Sequence, residues 1–167
     1  MIRDVEIIKP SVNVDGIVKE LTTIIEKYGL KGYEQISLQS TMENADPQTE
    51  WGVGTGSGLN LKTKEQNFKY LLFPEAKLIN HYIEEFGMFR TRVMKLESRK
   101  VMSVHKDKTP RIHIPISTND GCRMMVGNQC YTLEAGKIYW TDTRLEHTAF
   151  NGGEYPRIHI VGCVTAE

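Results

Sequence analysis

No apolar stretch in the 167-residue chain approaches the roughly 18 residues that a membrane span needs. The longest compact cluster, Tyr70-Leu71-Leu72-Phe73, stops at Pro74. Surplus charge of either sign is missing too. Lys and Arg number 21 and Asp and Glu number 21, so the formal net charge is zero. A phosphate backbone demands surplus positive charge, so neutrality speaks against nucleic acid as a partner. No run of like charges appears, which excludes an acidic tail. Cysteine is scarce. Cys122, Cys130 and Cys163 are an odd set without a CxxC pair. They read as free thiols of a reducing compartment rather than a disulfide framework. Met1 to Glu6 mixes charges and offers no apolar core of a secretory signal. The expected location is therefore cytoplasmic, with no membrane partner. A phosphate loop is also lacking. Gly52, Gly54, Gly56 and Gly58 crowd one stretch, but no Gly-Lys-Ser/Thr follows them.

What is present suits one domain over 1–167. Apolar residues make up 40% and charged residues 25%, enough to bury a core without staples. Residues 2–9 read as a strand closed by Pro10. Residues 14–28 read as a helix, because Ile17, Leu21, Ile24 and Ile25 share one face. Asp15 is its expected cap, and Gly29 its left-handed end. Residues 34–39 alternate as a strand, and 74–86 suit a second helix ended by Gly87. Between them, 41–60 reads as a long loop that closes over substrate, with Trp51 as an apolar anchor.

After residue 89 the pattern changes. Segments 90–97, 101–105, 111–117, 123–126, 129–133, 138–141, 147–150 and 157–164 all read as short strands separated by turn signals. Such spacing predicts an all-β sandwich or barrel. Pro110-Arg111-Ile112-His113-Ile114 recurs as Pro156-Arg157-Ile158-His159-Ile160. On a strand, Arg and His then share one face and the two isoleucines the other. Such a polar row faces either solvent or the inside of a small barrel.

Four of the five histidines lie between positions 105 and 159. In an extended chain His105 and Asp107 point to the same side, as adjacent ligands for a divalent metal. His147 is the natural third ligand. Two His and one carboxylate on one face of an octahedron leave three positions open, the facial triad of non-haem Fe(II) oxygenases. A lone His-x-Asp pair is commonplace. The weight comes from Arg157, ten positions after His147 across Asn151-Gly152-Gly153. A hairpin there would bring its guanidinium beside the metal, where it could grip a carboxylate bidentately.

The segments Val101-Met102-Ser103-Val104-His105-Lys106-Asp107, Pro110-Arg111-Ile112-His113-Ile114-Pro115-Ile116 and Leu133-Glu134-Ala135-Gly136-Lys137 carry a resemblance. So do Trp140 through Asn151 and Pro156-Arg157-Ile158-His159-Ile160-Val161. Together they resemble the aspartyl/asparaginyl β-hydroxylase branch of the Fe(II)/2-oxoglutarate dioxygenases. The resemblance implies a mainly β double-stranded β-helix, a cupin-like jelly roll over 90–164, with N-terminal helices flanking it. It implies Fe(II) held by His105, Asp107 and His147, with O2 as oxidant. Arg157 would bind the distal carboxylate of the co-substrate 2-oxoglutarate, and Arg111 and His113 would approach the carboxylate nearer the metal. The best-known vertebrate member has glycine where Asp107 stands, so this chain resembles the small bacterial and viral-type members more.

The implied activity is hydroxylation of an unactivated C–H bond in an amino acid, free or peptidyl, such as an Asp- or Asn-type side chain. Residues 1–89 are then expected to select the substrate. Trp51, Arg90, Arg92 and Arg144 are the candidates to touch it. A cupin-like metal enzyme that uses no oxoacid, and a non-catalytic jelly-roll binding module, are the competing readings.

Overall fold

The computed structural model describes residues 4–56 and 63–166. Gly58 and part of the expected loop lie outside the described residues. The strands are β1 (Val5–Lys9), β2 (Gln35–Ser37), β3 (Gln39–Ser40), β4 (Tyr70–Leu71), β5 (Phe89–Leu96) and β6 (Lys100–Val101). They continue as β7 (Arg111–Ser117), β8 (Cys122–Val126), β9 (Gln129–Tyr131), β10 (Ile138–Thr141), β11 (His147–Asn151) and β12 (Arg157–Cys163). Helices are α1 (Val14–Tyr28), α2 (Pro47–Glu50) and α3 (Lys77–Glu85), with a 3-10 turn at Glu65–Asn67. Among the described residues no helix is long and apolar enough to cross a membrane.

The strands form a six-stranded antiparallel sheet in the order β1-β10-β7-β12-β5-β2. A four-stranded sheet, β6-β11-β8-β9, faces it, and β3 and β4 make a small ribbon. The result is mainly β, a jelly roll with helices outside it. Residues before position 89 enter the large sheet at both edges, as β1 and β2.

The repeated pentapeptide explains how the sheet is layered. Its two copies lie on neighbouring strands, with Ile114 opposite Ile160 and Arg111 opposite Cys163. Ile112, Ile114 and Ile160 point outward and are buried with Ile17, Leu21 and Ile24 of α1 and Ile79 and Ile83 of α3. Arg111, His113 and Arg157 therefore face the opposite way, into the space between the sheets. The apolar row is covered by helices and the polar row is sealed inside.

The helix ends differ from the expected ones in instructive ways. Asn13, not Asp15, caps α1, its Oδ1 accepting from Gly16 N at 2.9 Å. A capping side chain must precede the first turn, and Asp15 lies within it. Gly29 closes the helix at φ +69°, as a left-handed residue should. The second helix starts at Lys77 rather than at residue 74. Its N-cap, Ala76, offers no side-chain acceptor. Instead the Glu20 carboxylate of α1 accepts from Leu78 N at 2.8 Å and Ile79 N at 2.9 Å. The stretch expected to be all loop also holds α2, whose N-cap Asp46 accepts from Gln48 N at 3.0 Å.

Two strand expectations need correcting. Regular pairing in 101–105 stops after Val101, and the chain then touches β11 only at Met102 and His105. More important, β11 and β12 do not form a hairpin. They belong to different sheets. Buried Asn151 holds the corner between them. Its Nδ2 donates to Tyr155 O at 2.7 Å and Leu96 O at 3.1 Å, while its Oδ1 accepts from Gly153 N at 3.0 Å. These bonds compete successfully with a tight turn and send the chain across the barrel.

Two predictions follow from the packing. Glu20→Ala should cost about 1 kcal/mol in chemical denaturation, because two N–H groups of α3 lose their acceptor. Glu20→Gln should recover part of that loss. The second concerns His113 and His159, whose Nδ1 atoms lie 3.3 Å apart in the interior. Burial, aided by the nearby Arg157 charge, holds both well below the usual 6.5. The unfolded chain takes up these protons near pH 6.5 and the folded chain does not. Stability is thus present above pH 6.5 and is lost as pH falls below it, by up to ~1.4 kcal/mol per pH unit for each ring. The urea midpoint of the metal-free chain should drop between pH 7 and 5, and His159→Asn should flatten the slope. A midpoint constant over that range would contradict the buried neutral pair.

Candidate metal centre

His105 and His147 meet directly across the strand edge. His105 N donates to His147 O at 3.1 Å, and His147 N donates to His105 O at 3.0 Å. Their rings lie 4.3 Å apart between centroids. Each ring is oriented from its own chain two residues back. Nδ1 of His105 donates to Ser103 O at 2.7 Å, and Nδ1 of His147 donates to Leu145 O at 3.0 Å. A carbonyl oxygen only accepts, so the proton sits on Nδ1 in both rings. Each Nε2 then carries its lone pair, the state a metal requires. Burial also holds the His147 pKa below its usual value, which favours that neutral form.

Asp107 completes the set. Its own N–H donates to Thr143 O at 2.8 Å, which fixes the chain beside β11. Asp107 Oδ2 lies 3.5 Å from His147 Nε2, and Oδ1 lies 3.0 Å from Arg111 Nη2. One ligand atom from each of His105, Asp107 and His147 lies within 4.8 Å of the others. Bonds of about 2.1 Å place adjacent ligands of one ion ~3 Å apart, so the three side chains need to draw in somewhat from the 3.5 Å between Asp107 and His147 and the 4.8 Å that spans the set. Two imidazoles and one carboxylate, with Arg111 steadying the carboxylate's second oxygen, form a donor set that fits Fe(II). The expected triad is thus brought together, although its members come from two stretches joined only at the strand edge.

Behind the triad lies a cavity of about 240 Å³ between the sheets. That is below the ~300–1,000 Å³ of ordinary ligand pockets and suits small molecules. Arg157, His113 and Val161 line it from the large sheet, and Met124 and Ala149 from the small one. Arg157 is only 5% exposed, and its Nη2 has no hydrogen-bond partner. Burial pulls its pKa down to about 10. A guanidinium with an unsatisfied buried N–H, facing a cavity, is held ready for an anion. Arg157 reaches the cavity from the facing sheet rather than from a hairpin partner of His147.

Arg111 lies at the other end of the cavity lining. It bridges Asp107 and Glu65, with Nη2 3.0 Å from each carboxylate, and also bonds Thr109. His113 faces the cavity and bonds buried His159 behind it.

The four residues expected to touch substrate part company. Arg90 and Arg92 both line the cavity. Arg90 sits at φ +48°, and its Nη1 pairs with Glu65 at 2.5 Å while its Nε donates to Gly54 O at 3.1 Å. Trp51 is placed elsewhere, packed against the outer core, because Ser37 N donates to its carbonyl and holds the segment on β2. Arg144 is also elsewhere. It is largely exposed and forks onto Asp142, at 2.7 and 2.8 Å, beside an outer groove. Neither of them lines the cavity that holds the triad.

Glu65 was not visible as a functional residue in the sequence. It is an isolated acid in a polar stretch, and only folding sets it between Arg90 and Arg111. Desolvation opposes its charge, yet those two guanidiniums hold its pKa below the usual carboxylate value. His159 was visible only as the second half of the repeat.

An oxidoreductase of the 2OG-Fe(II) oxygenase family from Burkholderia pseudomallei aligns at 15% identity and TM-score 0.42, over 55% of this chain and 53% of that one. A cupin domain from Bordetella pertussis aligns at 13% identity and TM-score 0.40, over 46% of this chain and 80% of that one. A conserved protein of unknown function from Streptococcus pyogenes aligns at 13% identity and TM-score 0.38, over 46% of this chain, which spans 64% of that protein. Residues 12–165 match the sequence model of one family over nearly the whole chain, and the chain belongs to it: the aspartyl/asparaginyl beta-hydroxylase family.

Proposed function

We propose that this chain is an Fe(II)- and 2-oxoglutarate-dependent dioxygenase that hydroxylates an unactivated C–H bond of an amino acid, free or within a peptide. The observation that carries the reading is the pairing, in one cavity, of the His105–Asp107–His147 donor set with the buried, unsatisfied guanidinium of Arg157. A metal site alone would suit many reactions. A metal site facing an anion receptor suits a chelating co-substrate with a second carboxylate.

When bound, the metal and 2-oxoglutarate supply oxygen activation coupled to oxidative decarboxylation, yielding succinate and carbon dioxide. The chain's residues bind, orient and shield. His105, Asp107 and His147 would hold the metal. Arg157 takes the distal carboxylate as a bidentate fork. Arg111 and His113 approach the carboxylate nearer the metal, and buried His113 stays neutral there. Met124, Ala149 and Val161 keep water from the interior. No side chain acts as a general base.

The first 89 residues select the substrate in this reading. Gln35 and Gly56, which line the same cavity, support it. The partner is thus a small molecule or peptide, and neutrality speaks against nucleic acid.

Anaerobic titration with Fe(II) and 2-oxoglutarate should produce a weak visible charge-transfer band, and admission of air with substrate should yield succinate. His105→Ala should abolish both. Arg157→Ala should weaken 2-oxoglutarate by at least ~30-fold, the effect of removing one partner from a buried charge pair. Metal-dependent turnover that ignores both 2-oxoglutarate and Arg157→Ala would point instead to a cupin-type enzyme without an oxoacid. Function that survives chelators and His105→Ala would point to a binding module.

A further inference from the structure

His159 has no part in the metal centre and does not line the cavity, yet at 1% exposure it is among the most deeply buried side chains. It stands in the inner row of β12 between Arg157 and Val161, opposite Met94 of β5 on one side and Pro115 of β7 on the other. An apolar residue would fill such a place at less cost, because a buried imidazole must recover its lost hydration. Among the described residues its ring bonds His113 alone, Nδ1 to Nδ1 at 3.3 Å, and its Nε2 has no partner. His113 lies opposite Val161, so the two rings are diagonal neighbours on one face of the sheet.

Two nitrogens facing one another share a single proton, so one ring donates and the other accepts. Burial, with the Arg157 charge beside it, keeps both rings neutral, so each carries one N–H. Only two arrangements meet both conditions. If His113 donates, its Nε2 presents a lone pair to the cavity, and the other proton sits on His159 Nε2, an N–H buried without an acceptor. If His159 donates, its Nε2 keeps an unused lone pair, and His113 presents an Nε2–H to the cavity. Orphaned buried N–H groups are rarer in proteins than under-used acceptors, which favours the second arrangement.

The cavity favours it independently. His113 shares that space with the guanidiniums of Arg111 and Arg157. An anion drawn there by the arginines is repelled by a lone pair and held by an N–H. Neutrality matters as well, because a charged imidazolium would compete with a dication for the same space.

We propose that His159 is a positioning residue: it donates from Nδ1 to His113 Nδ1 and so locks His113 as a neutral Nε2–H donor for an anion in the cavity. That this anion is the 2-oxoglutarate carboxylate nearer the metal rests on the oxygenase reading. The role of His159 is then to fix which way the His113 proton points, much as the outer partner of a metal-bound imidazole fixes its tautomer.

The proton positions are read from the metal-free full chain, isotopically labelled at the histidine ring nitrogens, at about pH 8, above the usual histidine range. Two-bond proton–nitrogen correlation spectra separate a protonated ring nitrogen from one with a lone pair, and single His→Asn variants assign the signals. His113 should carry its proton on Nε2 and His159 on Nδ1. In His159→Phe, which keeps a ring but no donor, His113 should become a mixture of both tautomers. In His159→Asn, whose amide N–H replaces the lost donor, it should return to the Nε2–H form.

The second readout is the calorimetric Kd of 2-oxoglutarate on the chain loaded with Mn(II) in place of Fe(II). His159→Phe should weaken it about tenfold, the scale of a hydrogen bond to a charged group. His159→Asn should recover most of that loss, and Mn(II) affinity without the oxoacid should be equal in all three proteins. A merely structural imidazole would change the melting temperature without sorting tautomer and affinity by the presence of a donor. The proposal is overturned if wild-type His113 carries its proton on Nδ1, if His159→Phe leaves its tautomer unchanged, or if the Phe and Asn variants bind 2-oxoglutarate alike. Should His159→Phe fail to fold, the wild-type and His159→Asn spectra still decide. If 2-oxoglutarate fails to bind the wild type, the oxygenase reading fails, and the spectra still judge His159.

Discussion

The structure turns on the burial of positive charge between two β-sheets. Guanidiniums from β5, β7 and β12 point inward, where water cannot screen them. Among the described residues two carboxylates pair with them. Glu65 neutralises Arg90 and Arg111, and Asp107 meets Arg111 while turning its other oxygen toward His147. Arg92 Nε and Arg157 Nη2 are buried without a hydrogen-bond partner. In the proposed reading the interior is a receptor for anions beside a site for a dication, and its affinity is drawn from the cost of burying unpaired charge.

That arrangement is possible because the other face of the large sheet is so thoroughly apolar. Isoleucines of β7 and β12 meet α1 and α3 outside, so stability comes from the outer layer and the inner layer is free to be polar. Glu20 helps by joining the two helices. The crossing at Asn151 helps in a different way. It carries the chain from the sheet that holds His147 to the sheet that holds Arg157, so the His-Asp-His donor set and Arg157 face each other across the cavity. Two of the inner histidines share one hydrogen bond and stay neutral, which keeps further positive charge out of an already cationic interior.

The strands after residue 89 were legible because alternation and turn signals are local. The isoleucine face of α1 was legible for the same reason, and so was the shared side of His105 and Asp107. What the sequence hid was long-range. Nothing near Asn151-Gly152-Gly153 distinguishes a tight hairpin from a corner; the difference lies in Leu96 O, 55 residues away, which accepts from the Asn151 side chain. Glu65 gave no signal because its role depends on two arginines from distant strands. Trp51 and Arg144 were singled out by residue type, which says nothing of which side of the sheet they fall on; Trp51 packs on the outer core and Arg144 forks onto Asp142. Capping of α3 by Glu20 is likewise invisible along the chain, since the acceptor sits 58 residues before its first donor.

The central claim is that metal and dicarboxylate occupy one electrostatically coupled site. Equilibrium titration of 2-oxoglutarate with and without Mn(II) measures that coupling directly, and linkage requires the metal to tighten by the same factor as the oxoacid. The account predicts reciprocal tightening of about tenfold or more in the wild type, within the usual range for coupled sites. It further predicts that Arg157→Ala weakens 2-oxoglutarate but leaves Mn(II) affinity in its absence unchanged. Binding of 2-oxoglutarate that is indifferent to the metal would contradict it.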